Sequence, residues 1–162
     1  MKIEQYINHF KTITLHKYFV LIECWKRGLY WQGIVHDLSK YSFYEFFTSA
    51  RYFQGDSTPV AVEKKEVGYS RAWLHHKGIN MHHWEYWTDF FEGIIKPCKI
   101  PEKYLIEIAC DMIGASKAYL KHKYNQKEPL AYFNSHCDKW IITDVDKEYI
   151  KNILKKEANS SK

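Results

Sequence analysis

An all-α, single-domain helical bundle is the fold class that this sequence predicts, and three observations carry it. Helical periodicity runs through most of the 162 residues. Only 7 Gly and 4 Pro supply turns, too few for a many-stranded sandwich. Apolar residues at 46% and charged residues at 27% are ordinary globular values, which exclude a disordered or fibrous chain. The length fits one domain and buries a substantial core, much of it aromatic, with 13 Tyr, 9 Phe and 6 Trp.

The elements follow in order. Residues 3–27 place Ile3, Tyr6, Ile7, Phe10, Ile13, Val20 and Trp25 on a broad stripe that ends at Gly28. A short apolar helix over 30–36 runs into His36-Asp37. Ser42 caps a helix from Phe43 to Phe53, closed by Gln54-Gly55-Asp56. Thr58-Pro59 is an N-cap and N1 pair for a helix reaching His76, with Gly78 just beyond it. Asn80 caps a further helix through about Glu92. Lys96 to Pro101 is a loop, and Pro101 starts a long helix to about Tyr124. Shorter helices cover 129–139 and 144–157, and Asn159 to Lys162 fray. The core is expected over about 5–125, with the helices at 129–157 appended.

Charge and cysteine exclude more than they assign. The net charge of +5 is spread along the chain without an arginine-rich block, which argues against nucleic-acid binding and suits a small phosphorylated partner. Cys24, Cys98, Cys110 and Cys137 form no zinc-knuckle spacing and read as buried free thiols. No apolar run approaches the roughly 20 residues that span a bilayer. The opening Met1-Lys2-Ile3-Glu4-Gln5 lacks a signal peptide's apolar block, so a cytoplasmic protein is expected. Oligomeric state is not legible.

Two polar residues occupy helical positions that ask for apolar ones. Asp111 shares the stripe Tyr104, Ile108, Ala115, Ala118, where an unpartnered carboxylate would cost several kcal/mol. It must meet a metal, a Lys or Arg, or a wet cleft. His16 is flanked by Ile13, Phe19 and Val20. His36-Asp37 ends an apolar helix, where imidazole and carboxylate can converge from two directions. Together His16, His36, Asp37 and Asp111 supply two imidazoles and two carboxylates, a set suited to Mn²⁺, Fe²⁺, Co²⁺, Ni²⁺, Zn²⁺ or Mg²⁺.

That order, His16…His36-Asp37…Asp111, resembles the H…HD…D signature of the HD-domain superfamily of metal-dependent phosphohydrolases. The resemblance implies an HD-like helical bundle and hydrolysis of a phosphomonoester, nucleotide or phosphodiester. The strings GLYWQGIVHDLSKYSFYEFF, AWLHHKGINMHHWEYW and EIACDM resemble more closely an uncharacterised bacterial and phage family with an HD-like pattern. The name catalase is sometimes attached to its members. The Glu-x-x-His motif of ferritin-like di-metal catalases is absent, because no glutamate here has a histidine three residues later.

Four of the nine histidines fall between positions 75 and 83. Some HD enzymes hold a second metal with two extra histidines and a bridging HD aspartate. The string HDLSK…HHWE is similar to the cyclic-dinucleotide phosphodiesterase branch, but Tyr86-Trp87-Thr88 replaces its Gly-Tyr-Pro. The favoured reading is one metal on His16, His36, Asp37 and Asp111. His76, His82 and His83 then line the phosphate pocket as catalytic groups, His82 and His83 in a helix first turn, and Lys40 contacts the phosphate. A second metal through His76 and His82 or His83 stays open. Other functional readings are a di-iron HD-like oxygenase and a non-catalytic nucleotide- or protein-binding module. Trp31, Trp73, Trp84 and Trp87 read as core. His9, His122 and His136 read as structural or solvated, as does the Lys-rich end (Lys147, Lys151, Lys155, Lys156).

Overall fold

A computed structural model describes residues 3–55 and 57–160, so Met1, Lys2, Asp56, Ser161 and Lys162, all named above, lie outside the described residues. Among the described residues, eight α-helices and one small hairpin form a single, mostly helical domain. They are α1 Ile3–Lys26, α2 Tyr30–Val35, α3 Phe43–Arg51, α4 Pro59–Val67, α5 Arg71–Ile79, α6 Glu102–Leu120, α7 Glu128–His136 and α8 Asp144–Asn159. The hairpin pairs β1 Thr88–Phe91 with β2 Ile94–Pro97, Phe91 opposite Ile94.

Helix α1 lies along α6 as the central pair. Gly114 makes this possible, since a Cβ there would stand 2.4 Å from Val20 Cγ2 and 2.9 Å from the Val20 amide nitrogen. Behind α6 the main core packs Leu105, Ile108, Met112 and Ile113 against Phe133 of α7 and Ile150 and Leu154 of α8. Trp84 and Trp87 lean on the same core, as expected of them, whereas Trp31 is exposed and Trp73 faces a cleft. The stripe read along α1 is rotated. Ile3, Ile7, Phe10 and Trp25 are exposed, while His9, His16 and Glu23 join Ile13, Val20 and Cys24 inside. Charge chemistry rather than apolarity decides that face. Glu23 is fully buried because Lys26, Arg27 and Lys117 reach its carboxylate at 2.8, 2.6 and 2.7 Å. Cys24 and Cys110 are buried free thiols, but Cys98 is exposed.

The Ser42 and Thr58 caps form as their sequences require, their hydroxyls accepting from the amides of Glu45 and Ala61. The single helix expected from Pro59 to His76 is two. Gly68 takes φ 89° and ends α4, and Ser70 caps α5 by accepting from the Trp73 amide. Gly78 lies inside α5, and Asn80 closes that helix instead of opening another. The helix expected through Glu92 is replaced by a 3₁₀ turn, Trp84–Trp87, and the hairpin, whose turn residues Glu92 and Gly93 both have positive φ. No helix among the described residues is long and apolar enough to cross a membrane.

Candidate metal centre

Five segments converge on one buried point between α1 and α6. His16 comes from the middle of α1, and His36 and Asp37 from the end of α2. His76 comes from α5, His82 and His83 from the loop after it, and Asp111 from α6. The α2 end is held by Lys17, whose ammonium donates to the Ile34 and His36 carbonyls at 2.6 and 2.7 Å. Asp37 then turns left-handed, at φ 57° and ψ 18°, before the 3₁₀ turn Leu38–Tyr41. This bend aims consecutive His36 and Asp37 at the same centre.

The four residues singled out in the sequence, His16, His36, Asp37 and Asp111, do meet. His16 Nε2 lies 2.9 Å from Asp37 Oδ2 and 3.1 Å from Asp111 Oδ1. His36 Nε2 lies 3.3 and 3.5 Å from the same two oxygens, and 3.4 Å from His16 Nε2. One ligand atom from each lies within 4.8 Å of all the others, a group that could hold a metal ion.

A second such group shares Asp37. His76 Nε2 and His82 Nε2 stand 3.1 and 3.3 Å from Asp37 Oδ1, and His83 completes the set. Asp37 Oδ1 and the Nε2 atoms of His76, His82 and His83 are all buried without a hydrogen-bond partner. Four such atoms turned on one point would each cost free energy if left bare. A cation accepting their lone pairs satisfies all four, so the donor set fits a metal.

Two carboxylates orient these rings. Glu107 Oε1 lies 3.0 Å from His36 Nδ1 and 3.3 Å from His82 Nδ1, one oxygen serving a ligand of each group. Glu45 Oε2 lies 2.8 Å from His76 Nδ1, and Glu45 Oε1 lies 2.6 Å from His75 Nδ1. Asn80 donates to the Ser39 hydroxyl and the His76 carbonyl at 2.9 and 2.8 Å, fixing the end of α5 beside the centre. With Nδ1–H directed at carboxylates, Nε2 of His36, His76 and His82 is left to face the centre. His75 therefore belongs to the surround. His82 and His83 precede the 3₁₀ turn and occupy no helix first turn.

The electrostatics are those of a tight ionic cluster. Burial opposes charge on Asp37, yet His36 and Lys40 hold its carboxyl well below the usual range. Asp111 is likewise held low against burial by His16 and His36. Burial would also discharge His36, but Asp37, Asp111 and Glu107 raise it well above an ordinary imidazole. His83 goes the other way, pushed far down by burial and by His82 and His76. Lys40 Nζ sits 2.5 Å from Asp37 Oδ2, so its first partner is the aspartate that both candidate groups share.

A cleft of about 420 Å³ opens onto the centre, lined at its inner end by His16, His76, His83, Asp111 and Lys40. A second cavity of about 330 Å³ approaches the far side of His82 and His83. His122 and His136 stay outside both ligand groups, whereas His9 is buried in the wall of the first cleft.

Sequence reasoning missed Glu107 and Glu45. Glu107 carried a usable signal, for it stands one helical turn before Asp111 on the same face. Glu45 was concealed as the last residue of a Ser-x-x-Glu capping pattern, three positions after Ser42, and its carboxylate serves histidines from another helix.

The model of a family of unknown function, DUF5662, matches residues 5–156, and the chain belongs to that family. No curated protein and no solved structure matches it.

Proposed function

We propose that this DUF5662 member is an HD-type, metal-dependent phosphohydrolase with a two-metal centre, and that its substrate is a phosphate ester. The observation that carries the reading is Asp37. Each of its carboxylate oxygens faces a separate set of imidazoles, His16 and His36 on one side, His76 and His82 on the other. His16, His36, Asp37 and Asp111 would hold one ion, and Asp37, His76, His82 and His83 the other. The chemistry such ions supply is Lewis-acid polarisation of a phosphoryl oxygen and a water made acidic near neutral pH. The chain's own groups do the rest. Glu107 and Glu45 fix the rings in one tautomer. Lys40 lines the cleft beside Asp37 and can donate to a phosphate oxygen, neutralising charge as it develops. Burial of His16, His36, Asp37, His76 and His82 limits water at the ligand atoms to what enters by the cleft.

Metal analysis of protein purified without chelator tests this, paired with phosphate release from a panel of esters. The expectation is two ions per chain in the wild type, one in His16→Ala, one in His76→Ala and none in Asp37→Ala. His136→Ala, altered outside the centre, keeps both. Metal at full stoichiometry in Asp37→Ala overturns the site, and no phosphate release from metal-loaded protein overturns the reaction. The imidazole-rich donor set also suits two irons, which supports a dioxygen-using alternative. Iron in the purified protein with substrate-dependent oxygen consumption would favour it.

A further inference from the structure

His9 stands apart from every role assigned above. It is 4% exposed, its Nδ1 is buried without a partner, and it packs between Phe46 and Phe53 at ring distances of 5.3 and 5.4 Å. It also lines the cleft that leads to the metal centre. His9, Thr12 and Ile13 form the α1 wall of that cleft, and His16 ends it at the ligands. Seven residues at 1.5 Å rise place His9 about 10 Å along the helix from His16. Across from this wall the cleft is bounded by Ser49 and Thr58, with apolar Pro59, Val60 and Ala72. The ionic groups of the cleft are already engaged. Lys40 is on Asp37, Glu45 is on His75 and His76, and Lys64 lies over the Trp73 ring. Burial, with the Lys40 charge, lowers His9 to about 4, so the imidazole is neutral near pH 7. The outer part of the cleft is thus a mainly apolar slot that carries neutral hydrogen-bonding groups, with one cation, Lys64, held over the Trp73 ring.

We propose that this slot is a subsite for the organic half of a phosphate monoester. The group it takes is uncharged, about 10 Å long and bears hydroxyl or amide functions, and His9 is the residue that selects it. The phosphate lies at the metal end and the distal polar group reaches the His9 ring. This rests on the phosphohydrolase reading for the phosphate end alone. It separates esters of extended neutral alcohols from pyrophosphate and small aryl phosphates, which are too short to reach His9, and from polyphosphate, which is long enough but charged throughout.

The test uses metal-loaded wild type, His9→Phe, which keeps the packing against Phe46 and Phe53, and His9→Gln, which restores a hydrogen-bonding group. The probes are p-nitrophenyl phosphate, pyrophosphate, glucose 6-phosphate and adenosine 5′-monophosphate. Calorimetric binding of glucose and adenosine provides a readout apart from turnover. At least one long ester is expected to exceed p-nitrophenyl phosphate in kcat/KM by more than tenfold. His9→Phe should remove that advantage through a KM about tenfold higher, the scale of one neutral hydrogen bond, and His9→Gln should recover part of it. Metal content and p-nitrophenyl phosphate hydrolysis should not change. No preference for a long ester overturns the proposal, and so does a His9→Phe loss that falls equally on every probe. If no phosphate is released from any ester while adenosine or glucose binds in a His9-dependent manner, the phosphohydrolase reading fails and the subsite stands.

Discussion

Replacing Glu107 by Gln keeps the shape of a side chain whose single oxygen supports a ligand in each metal group. Oε1 lies 3.0 Å from His36 Nδ1 and 3.3 Å from His82 Nδ1, and Glu107 is 4% exposed. A charge-assisted hydrogen bond is about twice as strong as a neutral one, and losing an orienting partner behind a ligand histidine weakens metal binding about 10- to 100-fold. That is about 1.4–2.7 kcal/mol at each of two sites. Glu45→Gln makes the matched control, because Glu45 supports His76 and the non-ligand His75 and no residue of the first group. Metal-stripped protein titrated with Zn²⁺ against a chromophoric chelator resolves the two dissociation constants. Glu107→Gln should raise both, and Glu45→Gln only one. Urea unfolding of the stripped proteins checks that each variant still folds. If Glu107→Gln leaves either constant unchanged, or if Glu45→Gln shifts both, the assignment of one shared and one private orienting carboxylate is refuted.

Two further outcomes follow from packing and charge. Lys117, Lys26 and Arg27 overcome burial to bring Glu23 from an ordinary 4.5 to about 2. Its folded value is below its unfolded one, so its stabilisation is complete above about pH 5 and is lost as pH falls toward 2. That stabilisation is roughly 3 kcal/mol by linkage. Urea midpoints of the wild type and Glu23→Gln at pH 7 and pH 3 should show the variant weaker at pH 7 and the gap narrowing at pH 3; a gap independent of pH would refute the linkage. Gly114→Ala should cost about 2–3 kcal/mol in urea unfolding, because the added methyl meets the Val20 backbone as well as its side chain. A variant of unchanged stability would mean that α1 can move away from α6 without loss.

The four residues His16, His36, Asp37 and Asp111 were legible because each breaks an apolar helical pattern or ends one. A polar group at a core position announces that something must satisfy it. His76, His82 and His83 were legible as a cluster, but their division of labour was not. The sharing of Asp37 depends on a left-handed backbone residue, and no periodicity encodes that. Element boundaries failed where two signals competed. Gly68 and Gly78 both look like helix ends, and the choice fell to Ser70, whose hydroxyl caps α5 and also donates to buried Glu63. The hairpin was hidden because Asp89-Phe90-Phe91 continues an apparent helical stripe, and Glu92-Gly93 is a weaker turn sign than Asn-Gly. His9 was legible as a structural histidine, and it is buried between Phe46 and Phe53, but its place in the cleft wall was not.

The left-handed turn at Asp37 restricts what evolution or an engineer can write there. Few residues occupy φ 57° cheaply, and among them are Gly, Asn and Asp. Glycine brings no side-chain oxygen, and asparagine brings one oxygen and one N–H₂ that has no lone pair to offer a cation. Glutamate has two oxygens but reaches farther and tolerates the backbone less well. Aspartate alone meets the demands of handedness, reach and donor count together. Asp37→Asn, which keeps the bend and spoils only one oxygen, is therefore the substitution that separates folding of the centre from loading of it.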